Sequence, residues 1–158
     1  MKVATVKELK IELKNRSHTE IEELCLRLSK FKKENKELLT YLLFESLNES
    51  GYINTIKIEI DEQFEKINTK TNYFIKKSVR KILRTIKKYI RYSRKKETEV
   101  ELLLYFCNKL INFKPSIQHN TVLKNIYMRE ISSIEKKILF LHEDLQYDYR
   151  VEIKKITA

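Results

Sequence analysis

The sequence predicts an all-α protein, and three observations carry that prediction. One residue of 158 is glycine and one is proline. Antiparallel sheets need positive-φ residues for their tight turns, and this chain has almost none to offer. Apolar residues recur three and four positions apart along most of the chain, which gathers them on one side of a helix. Threonine stands three residues before glutamate at Thr5/Glu8 and Thr19/Glu22, a pairing that satisfies the free amides at a helix start. The expected architecture is about seven helices packed as antiparallel hairpins, either an irregular bundle or a HEAT-like stack. A long C-terminal helix completes it, in a single helical domain over 1–158.

The first helix is expected from about Thr5 to Lys14, striped by Val6, Leu9 and Leu13. The second runs from Thr19 to Lys33 with Ile21, Leu24, Cys25, Leu28 and Phe31 on one face. Asn35 is a suitable cap for a third, which carries Leu38, Leu39, Leu42, Leu43 and Leu47 and stops at Ser50-Gly51. The fourth starts near Tyr52; Ile53, Ile56, Ile60, Phe64 and Ile67 face inward, and Glu59, Asp61, Glu62 and Glu65 make its outer face acidic.

Asn68 to Asn72 make a turn, and a fifth helix follows from Tyr73 to Ser93. The sixth, from Thr98 to Phe113, turns Val100, Leu103, Leu104, Cys107, Leu110 and Ile111 inward and is broken by Lys114-Pro115. The seventh is the longest, from Gln118 to Leu145. Its seam of Tyr127, Ile131, Ile134, Ile138, Leu141 and Leu145 steps by four and three. Such a seam suits packing along shorter helices or pairing with its own copy, which makes a homodimer through 127–145 a candidate assembly. The tail, Gln146 to Ala158, alternates Tyr147, Tyr149, Val151 and Ile153, as a short strand or a docked extension would.

The net charge is +11, from 33 basic and 22 acidic residues. Its location is the informative part. Between Lys76 and Lys96 lie Lys76, Lys77, Arg80, Lys81, Arg84, Lys87, Lys88, Arg91, Arg94, Lys95 and Lys96, with no acid among them. Eleven of the 33 basic residues are therefore in this block, and the other 22 balance all 22 acids. The excess is a local feature. On a helical wheel of 100° per residue, Ile75, Val79, Ile82, Leu83, Ile86, Tyr89 and Ile90 fill one arc of the fifth helix. The cations fill the opposite arc, with Phe74 and Tyr92 at its border. From Lys76 to Arg91 the strip spans about 23 Å at 1.5 Å per residue.

Like charges four residues apart each cost a helix a few tenths of a kcal/mol. A sequence that repeats that cost suggests a negatively charged partner, and phosphate backbones are the commonest. Arg80, Arg84 and Arg91 could fork onto phosphate oxygens, with lysines as point charges between them. Tyr92 or Phe74 could stack on an unpaired base. Two other readings stand beside this one. The strip could be solvated surface, partly neutralised by the acidic face of the fourth helix. It could also meet an acidic protein or an anionic membrane.

Several function classes lack their sequence signals. A single glycine cannot build a phosphate-cradling loop. Cys25 and Cys107 are far apart with no CxxC, and are expected to be reduced core thiols. His18, His119 and His142 have no second histidine at helical spacing. Glu59 and Glu62 lack the ExxH partner of a bundle metal site. His142 is expected at a helix end, where the dipole favours it. Neither a metal nor another cofactor is expected. No nucleophile elbow or isolated carboxylate within an apolar run stands out, which leaves an enzyme reading unsupported. No charged-then-apolar leader opens the chain and no apolar run reaches ~18 residues, so neither a signal peptide nor a membrane span is expected, and a cytoplasmic location is.

Residues 5–17, TVKELKIELKNRS, resemble the first helix of the SAP motif, a two-helix DNA-binding module. The likeness stops at the turn, which lacks the family's glycine, and Glu20, Glu22 and Glu23 stand where the family is basic. YFIKKSVRKILRTIKKYIRYS and ETEVELLLYFCNKLINF resemble segments of small bacterial proteins with no assigned activity. That resemblance implies a stand-alone helical bacterial protein. The helix-pair lengths are similar to those of HEAT-like repeats.

The functional expectation is a non-enzymatic binding module that meets a polyanion, nucleic acid first among them, through the basic face of the fifth helix. The alternative is a structural or protein-interaction module whose basic face is only solvated. An enzyme without a recognisable motif is the third reading.

Overall fold

The computed structural model describes residues 1–158 and contains eight α-helices and no strand. In order they are α1 (Val6–Lys14), α2 (His18–Phe31), α3 (Lys33–Thr40), α4 (Glu49–Glu65), α5 (Asn72–Ser93), α6 (Lys96–Ile111), α7 (Thr121–Ile138) and α8 (Glu143–Thr157). A π-helical turn covers Tyr41–Glu45 and a 3-10 turn covers Ile117–His119. The chain gathers into two compact units, Met1–Phe44 and Glu45–Ala158.

In the amino-terminal unit the caps fix the helices. Thr5 and Glu8 form the capping box of α1, with the Thr5 amide donating to Glu8 Oε2 at 2.7 Å. The second box is Ser17 with Glu20, two residues ahead of the Thr19/Glu22 pair that sequence spacing favours. Each carboxylate lies below its ordinary pKa, chiefly because the backbone amide of Thr5 or of Ser17 donates to the ionised form. Asn35 does not cap the third helix. Lys32 holds that position, and the Asn35 Nδ2 donates back to the Leu28 carbonyl at 2.9 Å.

The carboxyl-terminal unit is an irregular bundle around α6, which packs against α4, α5, α7 and α8. The reason is in its sequence. Val100, Leu102, Leu103, Leu104, Phe106, Cys107 and Leu110 are all buried, so α6 is apolar nearly all round and must be enclosed. The inward residues expected on α4 and α5 are buried as well, Tyr89 being half-buried.

Four local expectations need correction. Gly51 does not stop a helix. It lies in the first turn of α4, where its amide donates to the Asn48 cap at 3.1 Å. A Cβ there would stand 2.5 Å from Asn48 Nδ2, so a larger residue displaces the cap. The seventh helix ends at Ile138 instead of Leu145. Its residues Tyr127, Ile131, Ile134 and Ile138 are buried within the protomer, which occupies the seam proposed for a homodimer. The tail is helical. His142 caps α8, Glu143 and Asp144 lie in its positive first turn, and Tyr149 and Ile153, four apart, are buried. Finally, Cys107 is buried but Cys25 is exposed. Burial, with the Glu130 charge adding to it, pushes the Cys107 thiol up to about 12 against the pull of Lys87, which keeps it protonated.

Candidate functional site

The site is built on α5, whose start is set by the Thr71 hydroxyl accepting from the Phe74 amide at 3.3 Å. Its end is set by Arg94, a non-glycine residue in the left-handed region at φ 58°. Between them the apolar arc docks in the core and the opposite arc stands in water.

The eleven cations divide by partner. Lys87 Nζ meets Glu130 Oε1 of α7 at 2.9 Å. Lys95 Nζ meets Glu49 Oε2 at 3.0 Å, in a knot where Glu49 also accepts from Ser93 Oγ and from Thr98 Oγ1 at 2.6 Å. Lys88 lies over the Tyr89 ring at 5.0 Å and Lys96 over the Phe140 ring at 4.6 Å. Lys76, Lys77, Arg80, Lys81, Arg84, Arg91 and Arg94 have no carboxylate partner, and all but the half-buried Lys76 are exposed. Two acids on the outer face of α4 are bonded to other groups. Asp61 pairs with Lys109 at 2.9 Å and accepts from Tyr105 at 2.8 Å, and Glu59 accepts from Tyr89 at 2.9 Å. Burial opposes ionisation of Asp61, but the bonds from Lys109 and Tyr105 outweigh it and hold the carboxyl below its usual range. Glu49 of α4 therefore takes Lys95 at the end of the strip, while Lys77, Arg80, Lys81, Arg84, Arg91 and Arg94 keep no carboxylate partner.

Part of the strip walls an open groove of about 580 Å³. Tyr73, Lys76, Lys77, Arg80, Leu83, Arg84 and Lys87 of α5 form one side and Arg129 of α7 the other. Those α5 residues repeat every three or four positions, so they form one edge of the helix over about 21 Å. Glu130 anchors that groove. Its side chain is 1% exposed, and Oε1 takes both Lys87 Nζ at 2.9 Å and Arg129 Nε at 3.1 Å. One carboxylate thus holds two of six cations in place, and the site keeps a surplus of five positive charges. At one end Tyr73 and Phe74 form an edge-on aromatic pair, ring centroids 5.7 Å apart, both exposed.

Sequence reasoning missed Arg129, Glu130 and Tyr73. The signal for Glu130 was present: it falls midway between Ile126 and Ile134 at steps of four, a carboxylate inside the apolar stripe of α7. It also misplaced Tyr92, which is buried and offers no face to a base. His142 is a cap, with Nδ1 accepting from the Asp144 amide at 3.4 Å. No cluster of three or more His, Cys, Asp or Glu side chains is arranged to hold a metal ion, and no helix is long and apolar enough to cross a membrane. Comparison with protein-family models, curated proteins and solved structures finds no significant match.

Proposed function

We propose that this protein binds nucleic acid through the groove between α5 and α7. The observation that carries the reading is the set of cations on one helix face with no carboxylate partner, in a protein whose charge elsewhere sums to zero. Repulsion along Lys76, Arg80 and Arg84 disfavours the free state, and a phosphate chain relieves it while releasing its counterions. Glu130 supports the reading because it presets Lys87 and Arg129 on opposite walls, which lowers the ordering cost of binding. The exposed Tyr73–Phe74 pair favours single strands, whose unstacked bases can lie on an aromatic ring. In a duplex that pair has no base to meet.

The test is a fluorescence titration of a labelled single strand and its duplex at rising salt. Five to seven phosphate contacts give a log–log slope of roughly −5 on the duplex and roughly −4 on the single strand. Tyr73→Ala should weaken the single strand about fivefold or more and leave the duplex unchanged. The combined variant Lys77→Glu/Arg80→Glu/Arg84→Glu should abolish binding with the fold intact, since those three side chains have no bonding partners. Lys87 is left out because a glutamate there would face buried Glu130. Undiminished affinity in the triple variant ends the proposal.

A further inference from the structure

The amino-terminal unit carries an unsatisfied surface. Among its 44 residues only Ser29 and Tyr41 are buried, and not one of its leucines, isoleucines, valines or phenylalanines is. Yet Val6, Leu9 and Leu13 of α1 and Ile21, Leu24, Leu28 and Phe31 of α2 step by three and four, the seam along which helices pair. Their exposures run from 36% at Ile21 to 82% at Val6. At roughly 180 Å² for a fully exposed large apolar side chain, these seven leave about 700 Å² of apolar surface in water. Monomers seldom expose contiguous patches above ~600 Å², and a stable dimer covers ~800 Å² per partner.

We infer that this surface pairs with the same surface of a second copy, forming a twofold helical dimer through α1 and α2. The charges around it select that occupant. Leu9, Leu13 and Leu24 share an open groove of about 460 Å³ whose rim is Glu12, Arg16, Glu20, Glu23 and Arg27. Arg16 is already engaged with Glu12 at 3.8 Å and Glu20 at 3.5 Å. Glu23 and Arg27 are left unpaired on the same rim. A twofold axis brings each surface against itself, so residue i meets j and j meets i. Glu23 of one copy then faces Arg27 of the other, twice. Antiparallel pairing of the two α2 helices with the axis between residues 25 and 26 also brings the two seams of Ile21, Leu24, Leu28 and Phe31 together. Three rim carboxylates disfavour a phosphate chain or an anionic membrane as the occupant.

Sedimentation equilibrium of the full chain, with Cys25 kept reduced, tests this. The wild type should be a dimer. Leu24→Asp/Leu28→Asp should be a monomer with unchanged helix content, because neither side chain is buried within the protomer. Glu23→Arg or Arg27→Glu alone should weaken the dimer roughly twofold to fivefold, and the double exchange Glu23→Arg/Arg27→Glu should restore it. A wild type that stays monomeric up to high micromolar concentration overturns the inference, whether or not it binds lipid vesicles. So does a dimer that survives Leu24→Asp/Leu28→Asp.

Discussion

The two units of this molecule write the same apolar spacing and spend it differently. In Met1–Phe44 the capping boxes and stripes are clear, and the stripes face water. In Glu45–Ala158 equally periodic stripes close on α6 and vanish from the surface. Periodicity therefore reports where a helix has a side to bury, and does not report what it buries against. Whether a stripe becomes core depends on having a neighbour of matching shape in reach. The carboxyl-terminal unit supplies one in α6, which packs against four other helices. The amino-terminal unit has no such central helix.

That contrast is broken most strongly by removing equivalent side chains from the two regions. Phe106 is fully buried in α6, and Phe31 of α2 is 76% exposed. Phe106→Ala should cost about 3–5 kcal/mol of unfolding free energy, since it leaves a cavity as well as losing apolar contact. Phe31→Ala should cost the protomer under about 0.5 kcal/mol, as at other exposed positions. Urea unfolding followed by circular dichroism, under conditions where the chain is monomeric, reads both. Equal costs would mean the stripe of α2 is core in solution.

A second effect, of intermediate size, sharpens the comparison within α5. Lys87 and Arg84 are near neighbours in one basic strip, but only Lys87 holds a buried carboxylate. Lys87→Met should cost about 1–3 kcal/mol, the range for leaving a buried charged group short of a partner. The lower part is expected, because Arg129 stays on Glu130 and Lys87 is itself 43% exposed. Arg84→Met should be neutral to stability, and its loss should appear in nucleic-acid affinity alone. A thermal melt of both variants separates the structural cation from the free one.

How much of this was legible in the sequence follows from what each signal encodes. The all-α class was legible because helix spacing and scarce glycine are local properties. The basic strip was legible because a wheel needs only one helix. The groove was not, since Arg129 and Glu130 reach Lys87 across 42 and 43 positions of chain, and only packing of α7 beside α5 joins them. The end of α7 was hidden because Leu141 and Leu145 continue its seam through the turn and into α8, whose start His142 caps. The same mechanism hid α8: Tyr149 and Ile153 fit an alternating pattern and a step of four equally well.

The smallest effect separates the helix starts of the two units by their chemistry. Glu8 and Glu20 receive backbone amides as carboxylates and have lowered pKa values in the folded chain, from 4.5. A carboxyl group whose folded pKa lies below its unfolded one stabilises fully only where it is ionised in both states, above that ordinary value. The contribution disappears as pH falls through the folded value. Helix α5 has no acid in its first turn and is capped by the Thr71 hydroxyl. On acidification the amide resonances of Thr5 and Ser17 should therefore shift with midpoints below 4.5, while that of Phe74 stays in place. Amide shifts recorded by NMR from pH 6 to pH 2.5 would show it, and a Phe74 amide moving together with Thr5 would mean the two helix starts are held by the same groups.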